Sequence, residues 1–153
     1  MPPDAQAAKA GAIRSAQLAD GTPPQVRLGS LQRGGLAPAI MAIVERGVRE
    51  RSALASGLHA EVELGFKEHY PPVRVLFADQ QVLVEDGACE SPDLRVEGAL
   101  TDLISLLVAP AVGGVPTPLN SRGRAALGML AQRRIRIQGR IGLMRRMLAI
   151  IRI

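Results

Sequence analysis

Few residues of this chain are of a type and spacing that could do chemistry. Glu61 and Glu63 lie two apart, so on a strand both carboxylates face the same side. Paired carboxylates can share acid–base work, but that side is opposite Val62 and Leu64. Alternation therefore predicts both glutamates on the solvent face of a half-buried strand. The single cysteine, Cys89, sits in a Gly-Ala-Cys-Glu-Ser turn. A reactive thiol needs an electropositive setting, and acidic neighbours raise its pKa instead. His59 and His69 are ten residues apart, near opposite ends of one predicted strand, with no further Cys or His cluster, so no metal site is expected. The pairs Gly113-Gly114 and Gly139 with Gly142 lack the strand–loop–helix setting and the lysine of a phosphate-binding loop. No Gly-x-Ser-x-Gly elbow occurs. These residues assemble no catalytic constellation and imply neither enzyme activity nor a cofactor.

The elements that would position them follow from periodicity. Leu36, Ile40, Ile43, Val44 and Val48 recur at helical spacing. They predict a helix of about 18 residues closed near Ser56-Gly57, where glycine suits a left-handed cap. The period then switches to two. Ala60–Phe66, Val73–Phe77, Val82–Val84 and Asp93–Gly98 alternate as four short strands, and their short connections favour antiparallel neighbours. Helical spacing returns after Thr101-Asp102, a capping pair. A stiff, proline-rich loop spans Pro110 to Pro118, and a helix covers roughly Asn120 to Gln132. Arg134–Gly139 alternates as a fifth strand, and Ile141–Ile153 is a broadly apolar helix. Residues 1–34 have apolar positions too scattered for a core face, which predicts a disordered or loosely attached tail, with at most a short helix within Ala5–Leu18. The domain proper then spans 35–153. Strands in the middle with helices at both ends make an α+β fold, one sheet with helices gathered on one face.

The chain of 153 residues suffices for one domain with a real core and no staples. A lone cysteine and a beginning without a basic-then-apolar leader suit a cytoplasmic protein. The richest apolar stretch, Leu103–Leu119, is broken by three prolines and two glycines, too much for a spanning helix. Charge is unevenly spread: residues 103–153 carry nine Arg and no Asp or Glu. Such a block suits an anionic partner, whether a lipid headgroup, a membrane surface, a phosphate or nucleic acid, or else it simply solvates helix and strand faces. Aromatics are only 2%, which argues against nucleic acid, since single strands are held by stacked rings.

The apolar residues are the unusual material. Ile141, Leu143, Met144, Met147, Leu148, Ile150, Ile151 and Ile153 cover more than a single core-facing stripe. Met129, Met144 and Met147 add adaptable side chains. Periodicity alone allows two readings, an ordinary packed core or a lined cavity. Three stretches add a resemblance: Pro92–Gly98 running into Leu100–Leu103; Ala126-Leu127 followed by Arg134–Met144, with its basic Ile-x-Ile-x-Gly strand and a helix opening on Gly-Leu; and Val73–Asp79. Together they resemble the sterol carrier protein 2 family of lipid-binding domains, over about Leu36 to Ile153.

The resemblance implies a five-stranded, mostly antiparallel sheet covered on one face by helices, with an apolar tunnel between the layers. It implies non-catalytic binding or transfer of a fatty acid, acyl-CoA, sterol or isoprenoid. Placed on this chain, the tunnel would be lined by Val75, Phe77, Leu103, Ile104, Leu107, Leu127, Leu130, Leu143, Met144, Met147, Leu148 and Ile151. Arg140, Arg145 and Arg146 would meet an anionic headgroup or membrane at its mouth. The chain ends Ile-Arg-Ile rather than on a peroxisomal Ser-Lys-Leu type of address, which suits a bacterial-type cytoplasmic protein. Two alternatives stay open: an accessory protein presenting a quinone or isoprenoid precursor to biosynthetic enzymes, and a basic module for nucleic acid.

Overall fold

The computed structural model describes residues 22–109, 111–112 and 115–152. Strands β1 (Gln25–Leu28), β2 (Ala60–Phe66), β3 (Val73–Ala78), β4 (Gln81–Asp86), β5 (Leu94–Gly98) and β8 (Arg136–Gly139) form one sheet in the order β1-β4-β3-β2-β5-β8. The helices are α1 (Ala37–Glu50), α2 (Ser52–Ala55), α3 (Leu100–Leu107), α4 (Ser121–Ala131) and α5 (Ile141–Ile151). A two-stranded hairpin, β6 (Ala111–Val112) with β7 (Val115–Pro116), stands apart from the sheet.

The five strands read from alternation are present, and the fold is α+β with one open sheet. The sheet differs from the expectation in two respects. It has six strands among the described residues, and its pairing is mixed: β1 with β4 and β2 with β5 are parallel, the other pairs antiparallel. The segment Gln25–Leu28, read as part of a loose tail, pairs along its whole length with Gln81–Val84. Residues 1–21 of that tail, with the helix envisaged in Ala5–Leu18, lie outside the described residues. So do Gly113-Gly114 and Ile153.

The parallel β2–β5 pair has a simple geometric cause. β4 and β5 run the same way, so the connection from Gly87 to Asp93 must lead back from the end of one to the start of the other. Gaining β5's place requires passing β3 and β2, about 14 Å at ~4.8 Å per strand. Seven residues span that distance. The loop therefore crosses the outer face of the sheet, pinned by Gly87 N to Pro72 O at 2.8 Å and Asp93 N to Glu61 O at 2.8 Å.

The inner face is written by alternation. Val62 stands level with Val75 and Leu94, and Val96 with Leu64 and Ile137. Two buried clusters cover this face. One joins α1 and α5 to β2, β3 and β4 through Val44, Val48, Val75, Met147 and Ile150; the other joins α3 and α4 to the β8 end through Leu103, Leu106, Ala126, Met129 and Ile135. The helix read over 36–56 bends at Arg51, whose φ of −131° leaves the helical region, and Gly57 takes the left-handed turn with φ +68°. Helix α3 begins at Leu100, one residue before the expected cap. Its free Leu100 N–H is met by Glu68 at 3.1 Å, and Asp102 instead lies buried in the first turn. The loop read over Pro110–Pro118 contains the β6–β7 pairing, Ala111 with Pro116 and Val112 with Val115.

Helices α1 and α5 approach closely at Gly47, where a Cβ would fall 2.2 Å from Ile150 O. Two arginines tie the same corner. Arg51 donates to Ile150 O at 3.1 Å, and Arg146 to Leu54 O at 2.7 Å and Ser56 O at 3.3 Å. Carbonyls left without partners at helix ends are thereby satisfied.

Candidate functional site

Between the two buried clusters the inner face of the sheet is not filled. A cavity of about 200 Å³ lies there. Its floor is Val62, Leu64 and Phe66 of β2, Val75 of β3, Leu94 and Val96 of β5, and Ile137 of β8. Its walls are Leu36, Ala39, Ile40, Ile43 and Val44 at α1, Leu100, Leu103, Ile104, Leu106 and Leu107 of α3, and Met144, Met147, Leu148 and Ile151 of α5. Every lining side chain is hydrocarbon or thioether. Ala39 and Ile104 are exposed while Val44, Val62 and Val75 are buried, so the mouth lies between α1 and α3 and the blind end lies on the sheet.

The void follows from composition and topology together. Helices α1 and α5 pack on one half of the sheet and α3 and α4 on the other. Phe66 is the single aromatic side chain at the seam. Aliphatic side chains reach less far than rings, so the seam stays open. An apolar void of this size costs about 5 kcal/mol at ~24 cal/mol per Å³ if it stays empty. Engineered apolar cavities of about 150 Å³ stay dry and take up benzene.

Of the residues placed on the tunnel by sequence, Val75, Leu103, Ile104, Leu107, Met144, Met147, Leu148 and Ile151 meet on the wall of this cavity. Four do not. Phe77 and Leu143 are packed in the first cluster, Leu130 rests against the second, and Leu127 is half-buried on α4 away from the lining. The α1 wall and the β2 and β5 floor were missed. Their alternation and helical spacing mark a buried face equally well whether it meets a neighbour or a void. The three arginines assigned to a headgroup differ in their surroundings. Arg146 is bonded to the α2 carbonyls, Arg140 stands 3.7 Å from Asp93, and Arg145 is exposed on α5.

The residues that could have done chemistry are held in structural roles. On the outer face Arg74 bridges Glu61 and Glu85, and Arg95 pairs with Glu63 at 2.8 Å. Glu63 does not face solvent as expected but is only 7% exposed. The crossing loop lies over it, and Cys89 N donates to its Oε2 at 2.6 Å. Cys89 is buried by the same loop, and its thiol is pushed up to about 12, first by desolvation and then by Glu61 and Glu63. The direction agrees with the sequence reading; the acids responsible come from β2 rather than from the turn. His59 pairs with Asp79 at 2.7 Å and His69 is exposed beyond the other end of β2. Among the described residues no group of His, Cys, Asp and Glu is placed to hold a metal ion, and no helix is long and apolar enough to cross a membrane.

Cys89 offers a direct check on this packing. A thiol of raised pKa keeps its proton in the folded chain while the unfolded chain loses its own near the ordinary 9.0. Its contribution to stability is thus complete below pH 9 and declines as pH rises from 9 towards about 12. The native protein is expected to resist alkylation at pH 8 and to react once unfolded. A Cys89→Ser variant is expected to lose less stability than the parent between pH 9 and 11, followed by urea titration.

No protein-family model matches the sequence, and no curated protein matches it either. Among solved structures the chain is similar to one titled UbiJ-SCP2 ubiquinone synthesis protein. The match has a TM-score of 0.52 and 15% identity, and covers 76% of this chain and 84% of that one. This chain has the sterol carrier protein 2-like fold. The likeness agrees with the resemblance carried by Pro92–Leu103, Ala126–Met144 and Val73–Asp79. At this identity the likeness is one of fold alone.

Proposed function

We propose that this SCP2-like chain binds an apolar molecule in the cavity between its sheet and helices α1, α3 and α5, without catalysing its conversion. The observation that carries this reading is the wall itself, hydrocarbon or thioether throughout and open at Ala39 and Ile104. A buried amide or hydroxyl without a partner costs about 2–7 kcal/mol, and these side chains offer none. The occupant is therefore a hydrocarbon or isoprenoid chain, or an aromatic ring, whose polar group stays at the mouth. At about 200 Å³ the cavity takes part of a long chain; the remainder lies at the mouth or moves the α3 and α5 walls apart. Met144 and Met147 suit such a wall, being flexible and polarizable.

A second reading is favoured by the neighbour named for ubiquinone synthesis. In it, the chain holds the isoprenoid tail of a quinone precursor and leaves the ring outside, accessible to a biosynthetic enzyme. Both readings place hydrocarbon in the cavity and a polar group at the mouth, and both suit a protein working in the cytoplasm.

The test is native mass spectrometry of the freshly purified full chain, followed by organic extraction. One apolar molecule per chain, lost on extraction, is the expected result, and its mass separates an acyl lipid from a prenylated ring. A protein that is empty, and that also takes up no fluorescent fatty acid in titration, would overturn both readings.

A further inference from the structure

Helix α3 continues out of the cavity wall into an exposed apolar run. Ile104 is 45% exposed, Val108 38%, Val112 77% and Leu119 87%. Single exposed aliphatics are ordinary, but four in one short stretch, including the two most exposed large apolar side chains described, mark an interaction surface. Two of them stand in hydrogen-bonded backbone. Val112 is paired with Val115 in the hairpin, and Leu119 N donates to Thr117 Oγ1 at 3.3 Å beside the α4 cap, where Asn120 Oδ1 accepts from Gly123 N at 2.7 Å.

Next to Leu119 the exposed charged side chains are arginines. Arg122 and Arg124 are exposed in the first turn of α4, and Arg124 donates to Pro118 O at 3.2 Å, which holds its guanidinium next to Leu119. Cations in a first turn oppose the helix dipole, so the dipole does not favour these two. The sequence has no acidic residue after Asp102, and Asp102 is itself bound to Arg134 through both carboxylate oxygens. Projecting aliphatic side chains next to arginines that form no ion pair among the described residues match an anionic lipid–water interface, where the first enter the acyl boundary and the second meet phosphate.

We propose that the chain docks on anionic lipid bilayers through the surface formed by the end of α3, the β6–β7 hairpin and the first turn of α4, with Val112 and Leu119 as apolar anchors and Arg122 and Arg124 as headgroup contacts. This places the bilayer contact on α4 and the hairpin rather than on Arg140, Arg145 and Arg146. Ile104 belongs both to this surface and to the cavity mouth, so the docked chain holds its mouth next to the acyl layer. Docking does not require the cavity to be occupied.

The test is co-sedimentation of the full chain with vesicles of phosphatidylcholine alone and of phosphatidylcholine mixed with phosphatidylglycerol. Binding to the mixed vesicles only, weakened by salt, is expected. Val112→Ser with Leu119→Ser is expected to weaken it at least about tenfold, and Arg122→Gln about fivefold, all with unchanged thermal unfolding because these side chains are exposed. A Val96→Phe variant, whose cavity is filled, is expected to bind as the parent does, which separates failure of the cavity reading from failure of this one. No binding to phosphatidylglycerol vesicles, or equal binding by the Val112/Leu119 variant, would overturn the proposal. So would dissociation of a dimer in solution by that variant, which would give the surface to a second copy of the chain.

Discussion

Replacing Val96 by phenylalanine is expected to raise the unfolding midpoint and at the same time to abolish uptake of an apolar ligand. Val96 lies on β5, level with Leu64 and Ile137, and all three side chains point into the cavity. In a close-packed core such an enlargement forces neighbours off their rotamers and costs about 1–3 kcal/mol. Over a void the added ring carbons find space and gain about 1–2 kcal/mol of burial. The control is Val84→Phe on β4. Val84 is fully buried on the same inner face but does not line the cavity, and this enlargement is expected to destabilise by the overpacking amount. Urea unfolding reads the stabilities, and titration with a fluorescent fatty acid reads the ligand, with affinity in Val96→Phe down by more than tenfold. If both variants lose stability alike, the seam is closed in solution and the cavity cannot be a binding site.

The inner face of the sheet was legible because period-two patterning has one physical cause, the alternation of side chains across the pleat. Val62, Leu64, Val75 and Val96 all announce themselves in that way. Which inward residues would meet a helix and which a void was not legible. Val75 lines the cavity, whereas Phe77, two residues on and facing the same way, is level with Ala60 and Val82 and fully packed. The difference lies in where α1 and α5 end and α3 and α4 begin, which is tertiary information. The edge strand β1 was hidden for another reason. Gln25–Leu28 is short, and only Val26 is even half-buried, so its strand character comes from pairing with β4 rather than from patterning. The same patterning did carry one signal that went unread. Val82, Val84 and Asp86 alternate onto the core face, and an acid at an inward position must find partners. Asp102 is a parallel case, buried on α3 and held by Arg134.

Asp86 is for this reason the residue whose loss is expected to cost the fold most. It ends β4 and is 4% exposed. One carboxylate oxygen accepts from Gln32 N and the other from Ala37 N, each at 3.0 Å. Ala37 is the first residue of α1, where backbone N–H groups lack partners within the helix and a negative charge is favoured by the dipole. The approach is close enough that a Cβ on Gly35 would fall 2.0 Å from the carboxylate. One side chain of the sheet thus fixes the start of the helix that supplies Leu36, Ala39, Ile40, Ile43 and Val44 to the cavity wall. Asp86→Ala leaves two donors unsatisfied, and at about 1–3 kcal/mol each the expected loss is about 4 kcal/mol in urea unfolding. Asp86→Asn keeps one acceptor oxygen and is expected to lose about half as much. Amide exchange should show the loss first in the initial turns of α1, with the centre of the sheet protected up to global unfolding. A cost below about 1 kcal/mol for the alanine variant would mean that apolar contacts alone seat α1. The cavity wall would then be a movable element rather than one anchored at Asp86, and ligand size would be limited by the helix packing instead of by the fixed distance between α1 and the sheet.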